Sequence, residues 1–311
     1  MNSGQSLSTC PSSLDSSSEP FKVLGLVNES RFAIYKVLDT KTQQICALKL
    51  FAYKSNKINK YYKNEARFTT MKHQNVIRYF SKVAEDVAAI DAKFQNVSFV
   101  TMEWAPYGDM TYVLSNTSFC DNVMLARTYF HQLIEGINYL HSSGIFHLDL
   151  KLDNLLIADK YALKIADFDM SFKEGDNYCL GNGTSNYRAP ELKEKNFKHP
   201  GPCDIYSAGI ILFMLVVGHF PYSEKSHSSQ QNLWNLMLTD DEKFWSFHMK
   251  EAKNPLFITR SFKALFKAMT RKDPKERISI KEIKNSEWYQ GPVYLKHELE
   301  IVMKRLLPAP L

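Results

Sequence analysis

The sequence predicts an α+β chain in which a small strand-rich part precedes a larger, mainly helical one. Three observations carry this. Short runs rich in β-branched and aromatic residues crowd residues 21–103. From about residue 110 the apolar spacing changes to i, i+3 and i+4. At 311 residues, 44% of them hydrophobic, the chain can bury a substantial core in one large domain or two lobes.

Taken in order, residues 1–20 are dense in Ser, carry Pro11 and Pro20, and hold almost no large apolar side chains. They bury too little surface to offset their ordering entropy and read as a disordered tail. Strands are expected over 32–38 and 45–51, with Thr40-Lys41-Thr42-Gln43 as the turn between them. A polar helix over 57–71 carries Glu65, and two more strands are expected over 76–83 and 97–103. The stretch 84–96 between them reads as a loop longer than most. In the second part, Leu125, Tyr129, Leu133, Ile137 and Leu140 recur at helical spacing and predict a buried amphipathic helix over 123–141. Helices follow over 204–218, 231–238 and 262–270, and another starts near Ser279. The apolar run 208–218 is too short to span a bilayer and reads as a core helix. In the tail 291–311, Leu295, Leu299, Val302 and Leu306 again recur at helical spacing and predict a last packing helix.

A net charge of +6, from 39 basic and 33 acidic residues, suits a nucleotide phosphate. It is too weak a bias to argue for nucleic acid, and no segment argues for membrane insertion. Cys10, Cys46, Cys120, Cys179 and Cys203 are scattered, with no CxxC pair. That argues against a disulfide framework or zinc site and, with a polar rather than basic-then-apolar start, points to an intracellular, cytoplasmic setting with the nucleus left open.

The chemistry-bearing stretch is His147-Leu148-Asp149-Leu150-Lys151-Leu152-Asp153-Asn154. Apolar Leu155-Leu156-Ile157 follows, then Lys164-Ile165-Ala166-Asp167-Phe168-Asp169. Two carboxylates, a cation and an amide at these offsets match the needs of phosphoryl transfer: one group orients a hydroxyl, one steadies the phosphoryl group, and two hold magnesium. These motifs resemble the catalytic and magnesium loops of the eukaryotic protein kinases of Ser/Thr type, and more loosely those of the calcium/calmodulin-dependent group. Further landmarks of that family stand in order: Ala47-Leu48-Lys49, Glu65, Met102-Glu103-Trp104-Ala105, Asp109, the run from Gly183 to Glu191, Asp204 and Arg277.

The resemblance implies a bilobal kinase domain over 21–290, with an N-lobe of about 21–103, a C-lobe of about 110–290, and the chemistry at their junction. It implies ATP and Mg2+ as cofactors and a protein substrate. Asp149 is then the base, Lys151 the γ-phosphate contact, and Asn154 and Asp167 the metal ligands. Lys49, paired with Glu65, holds the α- and β-phosphates. Gly25, Val27, Ile34, Ala47, Met102, Glu103, Ala105, Asp109 and Leu156 border the nucleotide. His147 is a packing residue, Thr184 bonds the catalytic Asp, Asp204 caps the catalytic loop, and Arg277 pairs with Glu191. Asp153 and Asp109 favour basic residues near the acceptor hydroxyl.

Three departures stand out. The glycine-rich loop keeps only Gly25, so that Val27, Glu29 and Phe32 fall where the family places glycines, which predicts a weaker nucleotide grip. Asp169 replaces the Gly that ends the magnesium motif, a position expected to need tolerance of unusual backbone angles. Leu148 replaces the Arg that receives an activation-segment phosphate, and Leu180 stands where that phosphosite is frequent. The leading expectation is an ATP- and magnesium-dependent Ser/Thr protein kinase that needs no activation-segment phosphate. The alternative is a weak or inactive pseudokinase that acts as a nucleotide-binding or scaffold module.

Overall fold

The computed structural model describes residues 20–29, 31–90, 93–177, 183–193, 200–222 and 229–311, without the side chains of 89–90, 93–94, 193 and 229–232. The expected tail up to residue 19, and Leu180, lie outside them. The described chain forms two compact units. The first runs to Ala105 and includes Asp167–Asp169; the second comprises Pro106–Ala166 and Met170–Leu311.

In the first unit, β1 (Phe21–Glu29), β2 (Ala33–Asp39), β3 (Ile45–Ala52), β4 (Tyr79–Ile90) and β5 (Lys93–Glu103) form an antiparallel sheet in the order β1-β2-β3-β5-β4. Tyr35, Val37, Cys46, Leu48, Leu50, Ala88, Val97 and Phe99 build its core. Strand β2 alternates as expected for a half-buried strand, whereas Cys46–Phe51 of β3 are buried on both faces. The β2–β3 turn forms where Asp39 Oδ1 accepts the N–H groups of Lys41 and Thr42, and Gln43 takes φ 57°.

Two expectations fail here. The stretch 84–96 is not a loop: β4 and β5 continue through it, with Val87 opposite Asn96 and Ala88 opposite Gln95. A register shift between Val83 and Asp86 hides the alternation, and Ala84 O accepts Tyr53 Oη and Ser98 Oγ there. The helix is also shorter than 57–71: α1 spans only Lys60–Glu65. Ser55 and Asn56 take φ of 51° and 55° in a turn before it, and Asn59 caps its start. Thr69 Oγ1 takes the carbonyl of Ala66 just past its end, diverting a backbone acceptor from helix propagation.

The second unit is mainly helical, with α2 (Met110–Asn116), α3 (Val123–Ser142), α4 (Pro200–Val217), α5 (Ser229–Thr239), α6 (Asp241–Glu251), α7 (Arg260–Met269), α8 (Ile280–Asn285) and α9 (Lys296–Leu306). Short strands β6 (Ile145–Phe146) and β9 (Phe172–Lys173) pair with each other, as do β7 (Leu155–Ile157) and β8 (Leu163–Ile165). The stripe Leu125, Tyr129, Leu133, Ile137 and Leu140 of α3 is fully buried. Helix α4 is long and apolar enough to cross a membrane by length and composition, yet it lies inside this unit. Its Phe213 ring sits 5.0–6.2 Å from those of Phe244, Trp245, Phe262 and Phe266. Helix α9 buries Leu299 and Met303, and Tyr161 Oη donates to the carbonyl of Leu307 just beyond it.

Arg277 and Glu191 make the ion pair expected of them, Nη2 to Oε2 at 3.0 Å. The guanidinium also donates to the carbonyls of Arg271 and Pro202, while Cys203 Sγ donates to Glu191. Both residues are buried. Because removal of one partner strands the other charge in a dry site, R277A should lower unfolding stability by about 3–5 kcal/mol. The double variant R277A/E191A should recover part of that loss in urea titrations; equal instability of the single and double variants would contradict the pairing argument.

Candidate active site

Lys49 leaves the middle of β3, is 4% exposed, and therefore requires buried anions as partners. Its Nζ lies 2.6 Å from Glu65 Oε2, 2.5 Å from Asp167 Oδ1 and 3.5 Å from Asp169 Oδ2. Glu65 is the last residue of α1, and Tyr79 Oη donates to its other oxygen at 2.7 Å. Burial works against the ammonium, but the charges of Asp167, Glu65 and Asp169 outweigh it and hold the Lys49 pKa above its ordinary value. Burial pushes Glu65 up, while Lys49 and the Tyr79 hydroxyl pull it back. The 2.6 Å contact has the short length of a charge-assisted hydrogen bond.

Asp169 is 3% exposed. Burial pushes its carboxyl up to about 7, with Lys49 opposing and the neighbouring charges of Asp167 and Glu65 adding to the rise. Arg31 Nη1 stands 3.6 Å from its Oδ1, and its backbone carbonyl accepts Asn64 Nδ2 at 3.1 Å. Asp169 does not take a left-handed backbone. That conformation falls on Asp167, at φ 69°. Lys49, Glu65 and Asp167 thus come together as the motifs imply. Tyr79, Arg31 and Asp169 join them, and of these only Asp169 carried a sequence signal, as a departure from the family motif.

The catalytic-loop residues gather within the second unit. Asp149 Oδ1 accepts Thr184 Oγ1 at 2.7 Å, and its Oδ2 lies 3.2 Å from Lys151 Nζ. Asn154 ends a 3-10 turn and donates from Nδ2 to the backbone carbonyl of Asp149 at 2.9 Å, which orients its amide. His147 is fully buried: Nδ1 accepts the Asp149 N–H and Nε2 donates to Ala166 O, so both nitrogens serve the backbone. Asp204, in α4, accepts the N–H groups of His147 and Leu148 at 2.9 and 2.8 Å and contacts His141 Nε2 at 2.8 Å. Leu148 sits at φ 61° and is buried.

The residues expected to border the nucleotide divide between the units. Ala47 and Met102 are buried cross-strand partners, and Ile34 lies opposite Lys49. Glu103 exchanges backbone bonding with Arg78: its N–H donates to Arg78 O, and its carboxylate accepts Arg78 N–H. Ala105 ends the first unit and is buried. Gly25 lies within β1 rather than in a turn, and a Cβ there would meet nothing within 4 Å. The register slips between Leu26 and Asn28, leaving Val27 51% exposed. In the second unit Leu156 bridges Asp109, whose carboxylate caps α2 through the Tyr112 N–H at 2.8 Å. Asp109 thus uses Oδ1 to cap a helix terminus.

A family model described as the protein kinase domain matches residues 30–289. Among curated relatives, CBL-interacting protein kinase 26 of Oryza sativa subsp. japonica is 34% identical over 225 residues, 71% of this chain and 41% of the relative. CBL-interacting serine/threonine-protein kinase 14 of Arabidopsis thaliana is 33% identical over 226 residues, 71% of this chain and 46% of the relative. Serine/threonine-protein kinase PLK4 of Xenopus tropicalis is 27% identical over 281 residues, 88% of this chain and 27% of the relative. The chain spans less than half the length of these relatives.

Asp169 makes folding pH-dependent. Its carboxyl titrates near 7 in the folded chain against an ordinary 3.8, so between those values the folded state holds more protons than the unfolded state. Stability contributed at this site therefore falls as pH rises through that window. D169N should leave Tm near wild type around pH 4 and raise it progressively toward pH 8. Thermal scans across the window check this; a constant or shrinking gap would be inconsistent with the buried, charge-crowded carboxyl.

Proposed function

Because the chain belongs to the protein kinase domain family, we propose that it is a Ser/Thr protein kinase that uses ATP and Mg2+. The observation that carries this reading is the pair of completed constellations. Lys49 is locked to Glu65 and Asp167 in one unit, and Asp149 is locked to Lys151 and Thr184 in the other. The names of the Ser/Thr kinases among the relatives support the acceptor class.

The donor atoms suit the cofactors. Asp167 and the oriented amide of Asn154 offer hard oxygen ligands, the type magnesium takes, and Lys49 offers a buried ammonium for phosphate oxygens. When bound, ATP supplies the phosphoryl group and magnesium neutralises charge on its oxygens. The chain's own residues do the rest. Asp149 accepts a hydrogen bond from the substrate hydroxyl and takes its proton as the new O–P bond forms and the bond to the leaving diphosphate breaks. Thr184 Oγ1 fixes Asp149 Oδ1, and Lys151 stands beside Oδ2 to meet the transferring group.

Activity without an activation-segment phosphate fits the residues: Leu148 carries no charge to receive one and is buried. Acceptors flanked by basic residues fit Asp153 and Asp109. Buried free thiols at Cys46, Cys120 and Cys203 fit an intracellular, cytoplasmic setting.

Labelled phosphate transfer from magnesium-ATP to a basic test protein should be measurable for the wild type. It should fall by at least about 100-fold in D149N, as expected for loss of a general base. The rise in Tm on adding magnesium-ATP should persist in D149N. No transfer from folded wild type that still shows that rise would support the alternative, a nucleotide-binding pseudokinase. That reading draws on the turn residues Val27, Glu29 and Phe32.

A further inference from the structure

The turn between β1 and β2 lacks the glycines whose backbone amides approach phosphate, yet it is anchored by side chains. The Phe32 ring packs 4.5 Å from Phe51 and 5.7 Å from Tyr61, centroid to centroid. The Arg31 guanidinium lies 5.0 Å from the Tyr61 ring centroid and 3.6 Å from Asp169 Oδ1. Asp169 therefore carries a cation on each oxygen: Arg31 on Oδ1 and Lys49, at 3.5 Å, on Oδ2. One end of the Arg31–Asp169 pair, Asp169, is a departure from the magnesium motif, and the other, Arg31, lies in the turn next to Phe32, which stands at a glycine position of the family pattern.

We propose that Arg31 is the phosphate-binding residue of this turn, supplying from a guanidinium the grip that glycine amides would give, and that Asp169 is the residue that positions it. The proposal rests on the nucleotide-binding reading above and names the phosphates of a nucleoside di- or triphosphate as the ligand.

Three features support it. First, charge: Lys49 faces three carboxylates, those of Glu65, Asp167 and Asp169, so an incoming phosphate meets a negative cluster whose repulsion a second cation reduces. Arg31 is the cation placed there. Second, reach: Arg31 and Lys49 flank one carboxylate, so an anion held by Lys49 lies beside the guanidinium, whose fork suits phosphate oxygens. Third, availability: the Arg31 side chain is 48% exposed while that of Asp169 is 4% exposed. At 3.6 Å their contact is longer than a hydrogen bond, so it aims the guanidinium without using up its donors.

The test is calorimetric binding of ADP and of adenosine, with magnesium and with a chelator, to wild type, R31A, R31K, D169N and R31A/D169N. Loss of a charge-assisted contact predicts that R31A weakens ADP by about 10-fold or more, with R31K restoring part of it. Adenosine affinity should stay at the wild-type value, which also reports an intact fold. The penalty of R31A should shrink at least about 3-fold in the D169N background, as expected for coupled neighbours. ADP affinity unchanged in R31A, or ADP and adenosine weakened alike, would overturn the phosphate role. An equal R31A penalty in both backgrounds would overturn the positioning role of Asp169. Wild type that binds neither ligand would instead sink the nucleotide reading itself, and this proposal with it.

Discussion

The first unit depends on one buried ammonium. Lys49 lies on a strand with both faces covered, where an uncompensated charge costs several kcal/mol. The chain meets that cost with carboxylates drawn from separate places: Glu65 from the end of α1, and Asp167 and Asp169 from a motif far along the sequence. Each must stay where it is for the others to be tolerated. Tyr79 Oη closes the free side of Glu65, and Asn64 Nδ2 ties the backbone of Asp169 to α1. The shortness of α1 follows the same logic. It needs only to deliver Asn64 and Glu65 to their partners, and the Thr69 hydroxyl ends it soon after.

The second unit solves a comparable problem with backbone. Leu148 adopts φ 61°, a conformation costing roughly 1–2 kcal/mol for an L-residue with a Cβ. Asp204 stabilises it by accepting two consecutive backbone N–H groups, and charge-assisted bonds of this kind each contribute about 1.5–3 kcal/mol. His147 uses both ring nitrogens on backbone groups of the same loop. The result is that Asp149 follows a rigidly held turn, with its oxygens aimed by Thr184 and Lys151 rather than by its own rotamer preference.

Much of this was legible in the sequence because it is written in short, contiguous patterns. The i, i+3, i+4 stripe of α3 is buried at every named position, and the β2–β3 turn falls on Thr40-Lys41-Thr42. The partners Lys49–Glu65 and Glu191–Arg277 were also legible, since the motif order names both ends. What failed was local and has physical causes. Polar Glu85 and Asp86 beside a register shift disguise β4 as loop. Positive φ at Ser55 and Asn56 trims a helix that composition alone would extend. Asp109 reads as a ligand residue from its motif, and its second role, capping α2 through Oδ1, shows only in the fold. Tyr79 and Arg31 carry no local signal, because their importance comes from residues brought near only by folding.

The departures from the family pattern in the first unit come with contacts that hold them, and the one described in the second unit is buried. Where glycines are missing from the β1–β2 turn, Phe32 and Arg31 hold it through aromatic and charged contacts. Where the magnesium motif gains a carboxylate at Asp169, two cations flank it. Where the catalytic loop loses an arginine, Leu148 is buried at 3% exposure, which removes a cation that would otherwise need a phosphate to neutralise it. Leucine carries no such requirement, so Thr184 can bond Asp149 directly in the unmodified chain. With Leu148 buried, the loop is held by the backbone bonds to Asp204 and His147 and by the contacts of Thr184 and Lys151 with Asp149.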